Sequence, residues 1–360
     1  MHALHLRAEY AVFDDVAYLN AGTCGPIPRA ATAAVAGLGR QAERHGRALE
    51  HFVTTSHLRT GQRERYARLL AAEPSDVALT TSTSEGMVRV LQGLEWHPGD
   101  QILIAEQEHP GLLGPVAALV RRYGVVVRAV PLERIVEAVD DDTKLVACSH
   151  VRWTDGAVAP AGLRELRGRV PVLLDGAQAA GAIPIDVARI GCAFYAAPGQ
   201  KWLCGPIGTG MLWIDPEWQP HVVPVAPTYD NLAVPADGLD AAPWPDARAH
   251  DASALSGESS AAAVAAFDVL DDAGWPAVFE RATSLAAQLG GRLADAGRAV
   301  APRGHSTLVS WSEADPGAAR ERLAAAGVVV RDLPGTDFLR ASVGAWNDEH
   351  DLERLVAALP

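Results

Sequence analysis

One lysine, Lys201, stands between two glycine-rich turns in YAAPGQKWLCGPIGTG, residues 195–210, close behind the apolar run 193–197. Glycines on both sides of an amine leave two options. The lysine is an ordinary solvated loop residue, or it is presented at close range to something the backbone must clear. Asp175 closes a second apolar run in VPVLLDGAQAAG. There it caps the turn that follows, with Gln178 placed to complete a capping box, or it meets a cation at the rim of a sheet. A lysine amine forms a Schiff base with a carbonyl cofactor, and a carboxylate keeps a pyridine nitrogen charged; together these meet two needs of pyridoxal 5′-phosphate. The third need is a phosphate seat. Thr83, Ser84, Glu85 and Gly86, in TSTSEG at 81–86, offer hydroxyls and free N–H groups at a helix start, though the same residues also read as a plain helix cap. His109, in the EHPG stretch, is an exposed loop histidine or an imidazole that stacks on a planar ring and moves protons near neutral pH.

The elements around these residues must bring them to one rim. Short β-branched runs at 77–81, 101–105, 125–131, 145–149, 170–175, 193–197 and 208–214 alternate with helical patterns at 84–94, 111–123, 132–139 and 161–167. That rhythm predicts an α/β fold with a mainly parallel sheet covered on both faces, whose ligands bind beyond the carboxyl ends of the strands. Proline-rich residues 219–258 break the rhythm and read as a long irregular excursion; helices are expected at 259–272 and 276–296. A smaller α+β unit closes the chain, with strands at 307–311, 328–331 and 338–342 and helices at 316–326 and 348–359. The expected organisation is an N-terminal segment, 1–60, packing with the small unit or with a partner chain, a large domain at 61–275 and a small C-terminal domain at 276–360.

Composition narrows the function classes. With 49% apolar and 21% charged residues among 360, the chain has the balance of a folded globular protein. A formal net charge of −13 argues against a nucleic-acid partner. Cys24, Cys148, Cys192 and Cys204 form no metal-type spacing, so no metal is expected, and such scattered thiols suit a reducing, cytoplasmic setting. No apolar run is long enough for a membrane span. A bare nucleotide-binding protein is the alternative from another class, but neither phosphate-loop nor dinucleotide fingerprint follows a strand.

Taken together, these segments resemble the class V aminotransferase family of fold-type I pyridoxal-phosphate enzymes, from YLNAGTCGPIP at 18–28 to FLRASVGAWND at 338–348. The resemblance implies the type I fold, a large domain with a mainly parallel seven-stranded sheet flanked by helices plus a small C-terminal α+β domain. It assigns Lys201 the Schiff base, Asp175 the pyridine nitrogen, Gln178 the ring hydroxyl, Thr83 and Ser84 the phosphate and His109 the ring face. Arg340 and Asn20 become substrate-binding residues. A guanidinium suits a carboxylate better than an ammonium because its planar fork gives two parallel donors. Gln200 stands where desulfurases carry a histidine, and its amide remains able to donate to the phosphate; Trp153 stands where many relatives carry an asparagine, which implies an apolar wall beside the cofactor. The loop 332–337, DLPGTD, lacks the cysteine that desulfurases carry there. Arg152 serves substrate or phosphate or pairs with an acid, and Cys24 is a substrate-facing thiol or a buried one. The implied function is a pyridoxal-phosphate-dependent enzyme acting on an amino acid, of class V aminotransferase type. A C–S lyase or an epimerase is the alternative, and a catalytically silent relative stands further off. A homodimer is implied, with the Ser256 region reaching the partner's site.

Overall fold

The computed structural model describes residues 6–359. The chain begins with β1 (Ala17–Tyr18) and two long helices, α1 (Arg29–His45) and α2 (Leu49–Leu70). An alternating section follows: β2 (Val77–Thr80), α3 (Thr83–Gly93), β3 (Gln101–Ala105), α4 (Pro110–Tyr123), β4 (Val126–Val130), β5 (Thr143–Ser149), β6 (Val172–Asp175), the single turn α5 (Val187–Ile190), β7 (Phe194–Pro198) and β8 (Gly210–Ile214). These seven strands form one sheet in the order β2-β8-β7-β6-β5-β3-β4. Only β8 runs antiparallel to its neighbours. Burial on both faces explains why the central strands read as unbroken apolar runs rather than as alternation. Leu174 and Tyr195 face one core with Phe267, whereas Leu173 and Phe194 face the other with Leu91 and Leu112.

The remainder comprises α6 (Gly257–Ala273), α7 (Trp275–Asp295), β9 (Leu308–Ser312), α8 (Pro316–Ala325), β10 (Val328–Val329), β11 (Arg331–Asp332), β12 (Phe338–Ser342) and α9 (Glu349–Ala357). β11, β12 and β9 form an antiparallel sheet, and β10 pairs in parallel with β1. Leu19, Trp311, Leu323, Leu339 and Leu355 fill a third core beneath this sheet. The segment before residue 60 therefore touches both units: β1 joins the small one, while α1 and α2 pack on α6.

Three local expectations change. The helices expected at 132–139 and 161–167 are 3-10 turns, Leu132–Arg134 and Ala161–Leu166. In the first, Leu132 and Ile135 bury at a three-residue spacing that suits the tighter helix, and β-branched Val136 and Val139 do not extend it. The strand expected at 328–331 divides, because Val328–Val329 pair with β1 while Arg331–Asp332 pair with β12. Residues 219–256 carry only short 3-10 turns as helical structure, and α6 begins at Gly257. Asp251 ties this stretch to the sheet, accepting from the Leu79 N–H at 2.8 Å and from Arg63 Nη2 at 2.6 Å.

Candidate active site

A cavity of about 400 Å³ opens over the carboxyl ends of β3, β6 and β7, under the edge of the small sheet. Its lining includes Thr83, Ser84, His109, Trp153, Asp175, Gln178, Gln200, Lys201 and Arg340, so nine of the residues singled out in the sequence meet in one place. Asn20 is not among them. Its Oδ1 accepts from Thr23 Oγ1 at 2.8 Å, and Gly22 and Thr23 of the same turn face the cavity instead.

Lys201 lies in the turn after β7. That turn is closed by the Gly205 N–H donating to Gly199 O at 2.9 Å and the Cys204 N–H donating to Lys201 O at 3.1 Å, with Cys204 in the left-handed region at φ 55°. Glycine is required where the N-terminal turn crosses it, because a Cβ on Gly25 would lie 2.0 Å from Lys201 O. The close approach is therefore one of backbone to backbone. Burial lowers the Lys201 amine to about 8, with Asp175 opposing and Arg340 adding to the shift. Burial likewise raises the Asp175 carboxyl, against the pull of Lys201 and the Ala177 N–H, which donates to Oδ1 at 2.8 Å. Both groups move toward their neutral forms, so desolvation outweighs their mutual attraction, and they form no direct ion pair. Gln178 does not close a capping box. Its Nε2 donates to Gly22 O at 2.8 Å and its Oε1 accepts from the Trp202 indole at 3.2 Å.

At the far end, Ser82 caps α3 by accepting from the Glu85 N–H at 3.1 Å. The N–H groups of Thr83 and Ser84 stand in the first turn, where a helix offers no internal partner. Glu85 is withdrawn from this seat, since its carboxylate accepts from Thr81 N–H and Oγ1 at 2.6 and 2.7 Å and pairs with Arg89. Gly86 is packing: a Cβ there would lie 3.0 Å from the Ala196 Cβ. His109 caps α4, its Nδ1 accepting from the Gly111 N–H at 3.0 Å, and meets Trp153 edge-on with centroids 5.3 Å apart. Burial, then Lys201 and Arg340, depress its pKa to about 4, so the ring is neutral across the physiological range. Trp153 is held by its indole N–H on Gln107 O at 2.8 Å.

Arg340 is 2% exposed. Its Nη1 donates to Trp153 O at 2.6 Å, while its Nε and the neighbouring Ser342 Oγ are buried without a partner. Burial, and then Arg331, bring the guanidinium down to about 9. Arg331 is its cross-strand neighbour and lines the same cavity with Leu333 and Pro334. These three, with Glu108, Gly22, Thr23 and Ser82, were missed in the sequence; Arg331 and Glu108 carried a signal, an ionisable residue at a strand end or beside a loop already singled out. Arg152 is an ion-pair residue, bound to Asp155 at 2.5 Å and Glu133 at 3.3 Å. Cys24 is half-buried; burial raises its thiol and Lys201 pulls it back. Ser256 caps α6 on the exposed surface, away from this cavity.

A flat ligand with an aldehyde, a ring nitrogen and a phosphate fits this donor set. The half-buried Lys201 amine and the buried Asp175 carboxylate, without an ion pair between them, face one space. Two free N–H groups and a serine hydroxyl mark one end, and unsatisfied Gln200 Oε1 and Arg340 Nε mark its walls. Among the described residues no cluster suits a metal, and no helix is long and apolar enough to cross a membrane.

The aminotransferase class-V model matches residues 17–355. Isopenicillin N epimerase of Streptomyces clavuligerus is 31% identical over 56% of this chain, and the chain spans only 54% of that relative's length. A probable cysteine desulfurase of Pseudomonas aeruginosa is 29% identical over 98% of this chain and 96% of its own. Among solved structures, a C-DES mutant with glycine covalently linked to its PLP cofactor superposes with a TM-score of 0.92 at 25% identity, covering 98% of both chains. The cystine C–S lyase C-DES with its reaction product cysteine persulfide gives 0.89 at 25% identity, over 95% of this chain and 96% of that one.

Proposed function

Because the chain belongs to the class V aminotransferase family, we propose that it is a pyridoxal 5′-phosphate-dependent enzyme acting on an amino acid. The observation that carries this reading is the unpaired Lys201 amine facing Asp175 across one cavity, with a helix N-terminus at the other end. Bound there, the cofactor supplies an aldehyde for an amine and a ring that draws electrons from the substrate α-carbon. Thr83 and Ser84 hold the phosphate, with Gln200 beside them. Asp175 presents a negative charge to the ring nitrogen. His109, neutral and fixed by its cap bond, covers one face with Trp153 as the adjoining wall. Arg340 would bind the substrate carboxylate through its free donors and so orient the substrate α-carbon. Lys201, with a pKa near 8, takes and returns the α-proton through Nζ near neutral pH.

A second, narrower reading rests on Arg331. Like charges directly opposite on antiparallel strands destabilise a sheet, yet Arg331 and Arg340 occupy such a pair and no ion pair to Arg331 occurs among the described residues. A substrate with a second acid group relieves that repulsion, and cystine, on which the structurally similar C–S lyase C-DES acts, is one. The loop 332–337 lacks a cysteine to receive sulfur, which favours β-elimination over desulfuration. The proposal includes a cytoplasmic homodimer, supported by exposed Leu49, Phe52 and Val53 on α2, with Ser256 serving the partner's phosphate.

Incubation with the cofactor, borohydride reduction and peptide mass mapping test the main reading. An absorbance band near roughly 400–430 nm and an adduct on Lys201 are expected; no adduct overturns it. A screen of amino acids and S-substituted cysteines separates keto-acid-dependent amino transfer from release of ammonia and pyruvate. Arg331→Ala raises KM for cystine several-fold more than for S-methylcysteine if the paired arginines read two carboxylates.

A further inference from the structure

Two buried carboxylates stand at this rim, and the reading above uses only one. Glu108, 5% exposed, lines the cavity beside His109. Its Oε1 accepts from the Ser149 N–H at 2.8 Å and its Oε2 is bonded to Ser149 Oγ at 2.6 Å. Ser149 ends β5 and is the register partner of Asp175 on β6. The next residue, His150, donates its N–H to Asp175 O at 2.8 Å. One dipeptide thus grips the side chain of Glu108 and the backbone of Asp175. No lysine or arginine forms a salt bridge with Glu108 among the described residues, so only the donors of Ser149 and the His109 N–H, and no cation, offset a second negative charge there. Two carboxylates that share a dry site do not both ionise readily.

We propose that Glu108 and Asp175 form a split acid pair, in which Glu108 holds one proton near neutrality and thereby lets Asp175 alone present a negative charge to a ring cation. Glu108 is a positioning residue that acts through Asp175, and the inference rests on the pyridoxal-phosphate reading for that cation. The environment divides the pair in this order. Burial raises both carboxyls, and what separates them is the neighbouring cation. Burial and then Asp175 push Glu108 up to about 7 against the Ser149 donors and the His109 N–H, whereas the Lys201 amine pulls Asp175 back toward its ionised form. The other titratable neighbours leave that order unchanged. His109 is neutral, the Cys148 thiol beside Ser149 and the Tyr195 hydroxyl near Asp175 are pushed up by burial, and Lys201 and Arg340 line the same cavity without pairing with Glu108.

The sign follows. Below pH 7 Glu108 is neutral and Glu108→Gln differs little from the parent. Above it, Glu108 releases its proton to solvent, and a second anion beside Asp175 tightens the hold on a cation. The amide variant lacks that gain. Cofactor dissociation constants measured by equilibrium dialysis at pH 6 and 8.5 test this. The ratio of variant to parent is expected to rise from near one to about three- to tenfold, as a coupling of half to one pKa unit gives. Dividing by the parent removes the titration of Lys201, which both proteins share.

A second measurement needs no cofactor. With carboxyl-labelled glutamate, the full-length cofactor-free protein is expected to show one NMR resonance titrating near pH 7. That resonance is absent in Glu108→Gln and moves upward in Ser149→Ala, which removes a donor to the charged form. A constant ratio at both pH values, the signature of a purely structural clamp on Ser149, overturns the proposal. A midpoint below about 5.5, within a unit of an ordinary glutamate, does the same. If the parent takes up no cofactor at any pH, the functional reading fails, and the resonance alone then decides whether the pair is split.

Discussion

Gly22→Ala tests whether the cavity wall at Arg340 has the tight geometry described. A Cβ at residue 22 would lie 2.6 Å from Ser342 Oγ, 2.9 Å from Arg340 Nη2 and 2.9 Å from Gln178 Oε1. Gly22 has no left-handed φ, so alanine meets no backbone strain and the clash is the whole perturbation. Arg340 is anchored by Nη1 on Trp153 O and buried in β12, and Gln178 is pinned between Gly22 O and Trp202. None of these atoms is the loose end of a surface side chain. Overpacking of this kind costs about 1–3 kcal/mol, and a loss of that size at the substrate-binding fork is about 5- to 150-fold in kcat/KM. It falls mainly on KM, because the displaced groups bind the carboxylate rather than move the proton. The assay is steady-state kinetics on whichever amino acid the screen identifies, with chemical denaturation to separate misfolding. Gly114→Ala, within α4 and with nothing within 4 Å of the added Cβ, is the control, expected to leave turnover unchanged and to stabilise slightly. Parent-like kcat/KM in Gly22→Ala, with an unchanged melting profile, refutes the assignment of Arg340 and its neighbours as a close-packed carboxylate seat.

Asp251→Ala leaves Arg63 partly buried without its partner and frees the Leu79 N–H; loss of about 3–5 kcal/mol in urea unfolding is expected, as for other broken buried pairs. His150 is held neutral by burial down to about 4, while an unfolded histidine titrates near 6.5. Stability from this group is complete above the unfolded value and is lost as pH falls from about 6.5 toward 4. His150→Gln is therefore expected to flatten the pH dependence of unfolding free energy near pH 5.5 by about one proton, ~1.4 kcal/mol per pH unit. An unchanged slope contradicts the burial argument. Ser84→Ala, which removes the hydroxyl but not the helix N-terminus, is expected to weaken cofactor affinity about tenfold in dialysis while sparing the borohydride adduct at saturating cofactor.

The strands and the rim were legible because burial on both faces leaves a plain mark: runs such as VLLD and FYAAP admit few other placements. Lys201, Asp175, Ser84 and His109 were legible because each follows such a run, where a parallel sheet sends every ligand-facing group to the same end. Asn20 stays off the cavity lining for a local reason. A segment pattern locates a turn, but not which of its side chains faces inward, and Thr23 captures the Asn20 oxygen within the turn. Gln178 shows the same limit, since its partners, Gly22 and Trp202, come from segments distant in sequence. Arg331 depended on register. It lies nine positions before Arg340, and only the antiparallel pairing of β11 with β12 sets them side by side.

The ionisable groups share one feature that no motif expresses. Lys201, His109, Arg340, Glu108 and Asp175 are all shifted toward their neutral forms, in each case chiefly by burial. A site meant only to be stable would pair these charges with one another, and the chain does so freely elsewhere, as with Arg63–Asp251 and Arg152–Asp155. Leaving them without ion-pair partners costs folding free energy and keeps donors such as Arg340 Nε for a ligand. The spatial order of the unpaired groups then describes the ligand: free N–H groups at the start of α3 for one anion, Asp175 for a cation, and the Arg340 fork for a second anion. Two anions flanking a cation is the charge pattern of a phosphorylated pyridinium beside an amino acid carboxylate. A nucleotide offers phosphates without the cation, and so leaves Asp175 buried and unanswered.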